Sequence, residues 1–189
     1  LFAQSSIAQL GYMAIGIGAM SATGLAAAFL HLFNHALMKG ALFLAIGMIA
    51  AQAGRATMGT IQGAGKQIPI TMTAILFGGL ALIGVPLTAG FISKLYLIRA
   101  LLEQDFWLLA GLTFLSSALA LAYVWKIIEA AWLQPRPKGA PKLHETASQY
   151  IPAWIMVIAT LGFGIYATPL VQAAFAAAHV FIPSVAGAN

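Results

Sequence analysis

The chain has 189 residues, 61% of them hydrophobic and only 7% charged, with a mean hydropathy of +0.93. A soluble domain carries about 25% charged residues, so these proportions exclude one and predict an all-α polytopic membrane protein with about five spans of roughly 20 residues. Nine Lys and Arg against four Asp and Glu give a net charge of +5, but the basic residues are scattered through apolar runs and short loops, a mark of membrane topology rather than of a phosphate-binding face.

The chain opens mid-pattern at LFAQSSIAQLGYM, with no starting methionine, charged leader or cleavage site, and is expected to be the C-terminal part of a longer membrane subunit, 1–189 forming one membrane domain. The first span, about Ser5 to Met20, has Gln4, Ser5, Ser6 and Gln9 at its start, and Gly11, Gly16 and Gly18 would allow close helix packing. The second runs from about Ala22 to Gln52, longer than the hydrocarbon core, so it must tilt, bend or protrude. A Gly-rich connection, Arg55 to Gln67, carries Arg55 and Lys66.

The third span, 68–102, is expected to break between Gly84 and Gly90. Pro86 removes a backbone donor and clashes with the preceding turn, its predecessor is pushed out of helical geometry, and Gly84 and Gly90 relax the backbone on either side. A broken helix at membrane depth needs protein or a water-filled cavity to satisfy its freed backbone groups. Glu103, Gln104 and Asp105 form an acidic turn, in which Arg99, Glu103 and Asp105 read as solvated. The fourth span, 106–133, leads into a Pro-rich basic loop, PRPKGAPKLHET. A fifth, 150–166, and a short C-terminal helix, Pro169 to Phe181, complete the chain. With these crossings both basic loops share one face, and the positive-inside tendency makes that face cytoplasmic, as in a bacterial inner membrane.

Ionisable residues inside spans cost ~2.5–3.5 kcal/mol on insertion scales. His31, His35 and Lys39 each lie four residues from the last, so they form one slowly spiralling stripe ~12 Å long, with Asn34 beside it. Imidazole takes a proton on one nitrogen while releasing it from the other, so the stripe has the parts of a proton relay. The alternative is two histidines satisfied by neighbouring helices and a lysine snorkelling to an interface, although Lys39 sits near the middle of its span. A metal site is disfavoured, because the HxxxH pair has no third ligand placed nearby. Cysteine is absent, so no disulfide, thiolate metal site or thiolate-held iron–sulfur cluster can form, and no cofactor is expected.

Lys94 follows the break, where half-helix ends place backbone dipoles in the membrane. It reads either as an ion or proton station or as a tether on the freed carbonyls, and the two roles are compatible. Lys126 and Glu129 are secondary candidates, better explained as a snorkelling lysine paired with a glutamate three residues on. His144 falls in the exposed loop and His179 reads as interfacial.

SSIAQLGYM, HLFNHALMKGALFLAIG and GVPLTAGFISKLYLI, in this order and spacing, resemble the C-terminal half of the antiporter-like proton-translocating family. That family includes the large subunits of Mrp-type cation/proton antiporters and membrane-arm subunits of respiratory complex I and membrane-bound hydrogenases. The resemblance is strong over Leu1 to Leu102. It implies that His31, His35 and Lys39 lie on the family's central relay and that Lys94 gates exchange with the outer aqueous side. It also implies partner subunits in a hetero-oligomeric membrane assembly. Within the family the chain is most similar to the D-type subunit of Mrp-type Na+/H+ antiporters; Gln4, where tyrosine is usual, and Ala8, for a common serine, depart from the pattern.

Three functions compete. The first is a proton-translocating subunit of a monovalent cation (Na+)/proton antiporter. The second is a membrane-arm proton-pumping subunit of an NADH:quinone oxidoreductase or hydrogenase, with any redox site on other subunits. The third is a membrane scaffold without transport.

Overall fold

In the computed structural model, residues 2–182 are described, and they form helices throughout, joined by turns and two longer loops. The elements are α1 (Phe2–Gly18), α2 (Ala22–Ala53), α3 (Met58–Ile61), a 3-10 turn (Ala64–Lys66), α4 (Pro69–Ile83), α5 (Ala89–Glu103), α6 (Trp107–Ile128), α7 (Ala147–Ile165) and α8 (Thr168–Phe181), with α6 running on into a π-helical turn at Glu129–Leu133.

Among the described residues, three helices are long and apolar enough to cross a membrane: α2, α6 with its π-helical turn, and α7. A fourth is added if the bent pair Met58–Lys66 and Pro69–Ile83 counts as one span. At 17 residues, α1 is short of the usual span, and so are α4 and α5 at 15 each, because the break divides what would otherwise be one crossing.

The centre of the bundle is α2, which packs against α1, α4, α5, α7 and α8. Ser21 caps its first turn, its hydroxyl accepting from the Gly24 N–H at 3.0 Å. The 32 residues then continue without a kink signal to Gly54, in the left-handed region at φ 76°. Leu42, Ile49, Ile68 and Met72 are fully buried in the largest apolar cluster. In a bilayer such packing is held by dispersion and fit, since lipid tails are as apolar as leucine. Only Gly16 of the three α1 glycines carries the expected close approach. A Cβ there would lie 2.8 Å from the Gly24 carbonyl oxygen of α2, whereas Gly11 and Gly18 meet nothing within 4 Å.

The break falls at the expected residues. Gly84, at φ 89°, ends α4, and Leu87, at φ 73°, turns the chain into α5. The two glycines act differently, however. Gly90 lies in the first turn of α5, and a Cβ there would run into the Ala81 carbonyl and come within 2.9 Å of the Met38 sulfur. It admits a close approach of the two half-helices rather than relaxing the backbone. Gly164 of α7 does the same against the Leu87 carbonyl.

The two basic loops pack together on one face, at the far end from the Ser21 and Gln104–Phe106 turns. Arg136 donates to the carbonyls of Thr60 at 2.8 Å, Gln62 at 3.0 Å and Pro141 at 2.6 Å. The side chain of Gln52 brackets the His144 backbone, giving to its C=O and taking from its N–H, each at 2.8 Å.

Candidate functional site

A line of buried and half-buried polar side chains runs through this apolar bundle. It begins at Lys39, which is 5% exposed. The antiparallel packing of α1 on α2 sets the start of α1 over it, so the ammonium donates to the Phe2 carbonyl and, at 2.6 Å, to the Ser5 hydroxyl. Its Nζ lies 5.6 Å from the Phe43 ring centre and 6.0 Å from that of Phe2, close enough for attraction to the ring faces. One turn along α2 is His35, whose Nε2 is buried and has no partner among the described residues. A further turn along is His31, its ring stacked on that of His35 with centres 6.3 Å apart and planes within 10°.

His31 is fully buried and held at both nitrogens. Nε2 lies 3.0 Å from the Gln9 carbonyl oxygen and Nδ1 lies 3.0 Å from the Ser93 hydroxyl. Since the Gln9 oxygen can only accept, Nε2 carries the hydrogen and Nδ1 of the neutral ring accepts from Ser93. Ser93 has a second acceptor, the Gly90 carbonyl at 3.2 Å. A proton arriving on Nδ1 can therefore be accommodated by rotating one hydroxyl, which then accepts from His31 and donates to Gly90 in the first turn of α5. Asn34, also fully buried, donates to the Ala89 carbonyl at 2.6 Å. Thus α2 is bonded directly to the first turn of α5.

Tyr12 stands between His31 and Lys94. Its ring meets His31 edge-on, with centres 5.5 Å apart and planes at 89°. Lys94 Nζ lies 5.2 Å from the same ring centre, and the phenol donates to Ser116 of α6 at 2.9 Å.

Lys94, 5% exposed, donates to the carbonyls of Leu82 at 2.8 Å and Ile83 at 2.9 Å. These complete the accounting at the end of α4. The Leu80 carbonyl accepts from the N–H groups of Gly84 and Val85, at 3.0 and 3.1 Å, and the Ala81 carbonyl accepts from that of Gly84 at 3.1 Å. The last two carbonyls are left to Lys94. These bonds fit the tether reading of Lys94, and the same ammonium faces the Tyr12 ring.

The expected stripe of His31, His35 and Lys39 thus lies within one cluster that reaches Lys94. Lys126 and Glu129 lie elsewhere. Lys126 is exposed on α6, and the expected pairing is not formed. Glu129 opens the π-helical turn, and its carboxylate accepts from the Gln134 side chain at 3.4 Å. The ion pair among the described residues is Arg99–Glu103 at 2.7 Å, exposed near the Gln104–Phe106 turn. Tyr12, Ser93 and Ser116 were not singled out from the sequence, and Gln9 and Ser5 were read only as a polar start to the first span. Gln9 and Tyr12, three apart on α1, share a face, and that spacing is the one signal that could have marked them.

Residues 1–120 match the family described as NADH:quinone oxidoreductase/Mrp antiporter, TM. Among curated relatives, NADH-quinone oxidoreductase subunit N of Desulforudis audaxviator is 33% identical over 88% of this chain and 36% of its own length. F(420)H(2) dehydrogenase subunit N of Methanosarcina mazei is 28% identical over 97% of this chain and 39% of its own. Among solved structures, a chain of the Mrp complex from Dietzia sp. DQ12-45-1b superposes with a TM-score of 0.87 at 25% identity, covering 97% of this chain and 42% of that one. This chain therefore spans roughly four-tenths of the length of these relatives. Subunits named N, rather than the D-type subunit of an antiporter, are what the curated similarity brings forward, so the narrower resemblance within the Mrp group does not hold as the preferred one.

Proposed function

This chain belongs to the NADH:quinone oxidoreductase/Mrp antiporter transmembrane family, and on that footing we propose that it is part of a proton-translocating membrane-arm subunit of a redox-driven complex of the NADH:quinone oxidoreductase type. The observation that carries the reading is the line of the buried Lys39, His31, Tyr12 and Lys94, with the half-buried His35 between the first two, which runs through an apolar bundle and ends on a broken helix. The identity with subunits N favours the redox-driven form.

In this reading α1, α2, the α4–α5 pair, α6 and α7 make five crossings, the basic loops face the cytoplasm of a bacterial cell, and other subunits of the assembly hold the redox groups. Protons move from the Lys39 end through His35 and His31, with waters bridging the gaps, and reach Lys94 past Tyr12. The chain would then belong to an enzyme, a quinone-reducing translocase, without itself carrying the redox chemistry.

A second reading, a subunit of a monovalent cation (Na+)/proton antiporter, is favoured by the superposition on the Mrp complex. The two are separated in proteoliposomes holding the whole complex. Electron donor and quinone should drive proton uptake that a Na+ gradient does not elicit. Proton movement driven by Na+ alone supports the second reading, and none under either condition leaves the scaffold.

A further inference from the structure

Tyr123 of α6 is a half-buried titratable side chain that the line from Lys39 to Lys94 does not use. It follows Ser116 by seven residues, the same spacing that separates Ser5 from Tyr12 on α1. Seven residues are close to two helical turns, so each Ser–Tyr pair lies on one face of its helix. On α6 the residue between them on that face, Ala120, is buried and presents only a methyl group. On α1 it is Gln9, which turns aside to His31 at 3.0 Å.

The two helices run in opposite directions, and each tyrosine reaches the serine of the other. Tyr12 donates to Ser116 at 2.9 Å, and the Tyr123 hydroxyl lies beside that of Ser5, with Tyr12 also among its neighbours. Long side chains on a helix lean toward its N-terminus, so the two phenols lean toward one another. The interval between their hydroxyls is therefore shorter than the ~10.5 Å from serine to tyrosine along either helix. Both ends of this arrangement meet a lysine. Ser5 accepts from the Lys39 ammonium at 2.6 Å and donates to the Phe2 carbonyl at 2.8 Å, while Lys94 Nζ lies 5.2 Å from the Tyr12 ring centre.

We propose that these reciprocal Tyr–Ser contacts form a second proton connection between Lys39 and Lys94, parallel to the two histidines, with water bridging the phenols and the step to Lys94. Lys39 gives a proton to Ser5 and becomes a neutral amine. Each hydroxyl releases its own proton as it takes the next, and a neutral Lys94 takes up the last to become an ammonium. A phenol holds its proton to about pH 10, whereas an imidazole exchanges one near about pH 6.5. The hydroxyls therefore pass a proton without storing it, and the histidines can do both. The histidine line is the main route, and the hydroxyl line carries what remains when that route is cut. The inference rests on the proton-translocating reading of the two lysines.

The test is a double-mutant cycle on proton flux per assembled complex, with the whole complex in proteoliposomes. His35→Ala should lower flux severalfold, and Tyr123→Phe, which keeps the ring and removes one oxygen, should lower it about twofold. In the His35→Ala background, Tyr123→Phe should lower flux by at least about tenfold, a non-additivity that an independent loss of packing does not produce. An effect of Tyr123→Phe no larger there than in wild type overturns the hydroxyl line and leaves the histidine line standing. Wild-type flux in the double variant and in Lys94→Ala alike overturns the proton-translocating reading as well. If the double variant fails to assemble, Ser116→Ala takes the place of Tyr123→Phe, with the same outcomes deciding.

Discussion

Lys94 donates to the carbonyl oxygen of Leu82, twelve residues back across the break in its own span, at 2.8 Å. An ammonium has three donors, two of which are spent on Leu82 and Ile83. A neutral amine still has two, so the tether survives proton loss in geometry. It weakens in energy, because charge-assisted hydrogen bonds are roughly twice as strong as neutral ones. How firmly the end of α4 is held therefore depends on whether Lys94 carries its proton.

Tether and titration can be separated by substitution. Lys94→Met leaves two buried carbonyls unpaired, which should cost about 2–4 kcal/mol of stability. Lys94→Gln keeps an amide donor toward them and should lose less, while abolishing titration. Thermal melts of the detergent-solubilised complex should rank wild type above Lys94→Gln above Lys94→Met, with proton flux lost in both variants. A Lys94→Gln complex that transports normally would leave the tether as the residue's whole role.

The two histidines should part company. His31→Ala strands the Gln9 side chain in a buried site, at ~1–3 kcal/mol for the unpaired group, and empties the space of a fully buried ring, so the subunit should be lost from the membrane or recovered at low level. His35 has no such bonds at Nε2, so His35→Ala should leave the subunit in place and lower proton flux. Immunoblots of assembled complex beside flux measurements check this, and equal loss of assembly in both contradicts it.

Gly90→Ala should be more damaging than Gly84→Ala. At Gly84 the penalty is conformational, ~1–2 kcal/mol for a left-handed residue. At Gly90 a methyl group collides with the Ala81 backbone and the Met38 sulfur, and backbone cannot yield as a side chain can, so the half-helices must move apart at a cost of about 3 kcal/mol. Comparing melting temperatures of the two variants tests the order.

Arg136 joins the two basic loops through three carbonyls, so Arg136→Gln should expose the 134–146 loop to proteolysis with little change in proton flux. Limited digestion of intact complex, followed by mass of the released peptides, is the check. An unchanged cleavage pattern would mean that Gln52 and Gln67, which bond His144 and Leu143, and Glu145, which accepts from the Thr71 N–H, hold the loop without Arg136.

The helices and the break were legible because their signals are local. Ser21 and Gly54 bracket α2, and Gly84 with Pro86 marks the end of α4. The stripe of His31, His35 and Lys39 followed from helical spacing alone. What connects it to Lys94 did not, because Gln9, Tyr12, Ser93 and Ser116 come from three helices whose rotation about their axes is set by packing. The same limit hid the close approach at Gly90, whose lack of a Cβ matters only once Ala81 lies against it. The Lys126–Glu129 pairing rested on ideal α spacing at a place where the helix widens into a π turn.

The most direct test of the account is proton flux through the whole assembled complex carrying Lys94→Ala, with Lys94→Glu beside it. Lys94→Ala should assemble in reduced but measurable amount, and its flux per assembled complex should fall by at least about tenfold, a barrier change of ~1.4 kcal/mol or more. Lys94→Glu, which can still exchange a proton, should retain more flux than Lys94→Ala. Wild-type flux per assembled Lys94→Ala complex would contradict a proton route ending at the broken helix.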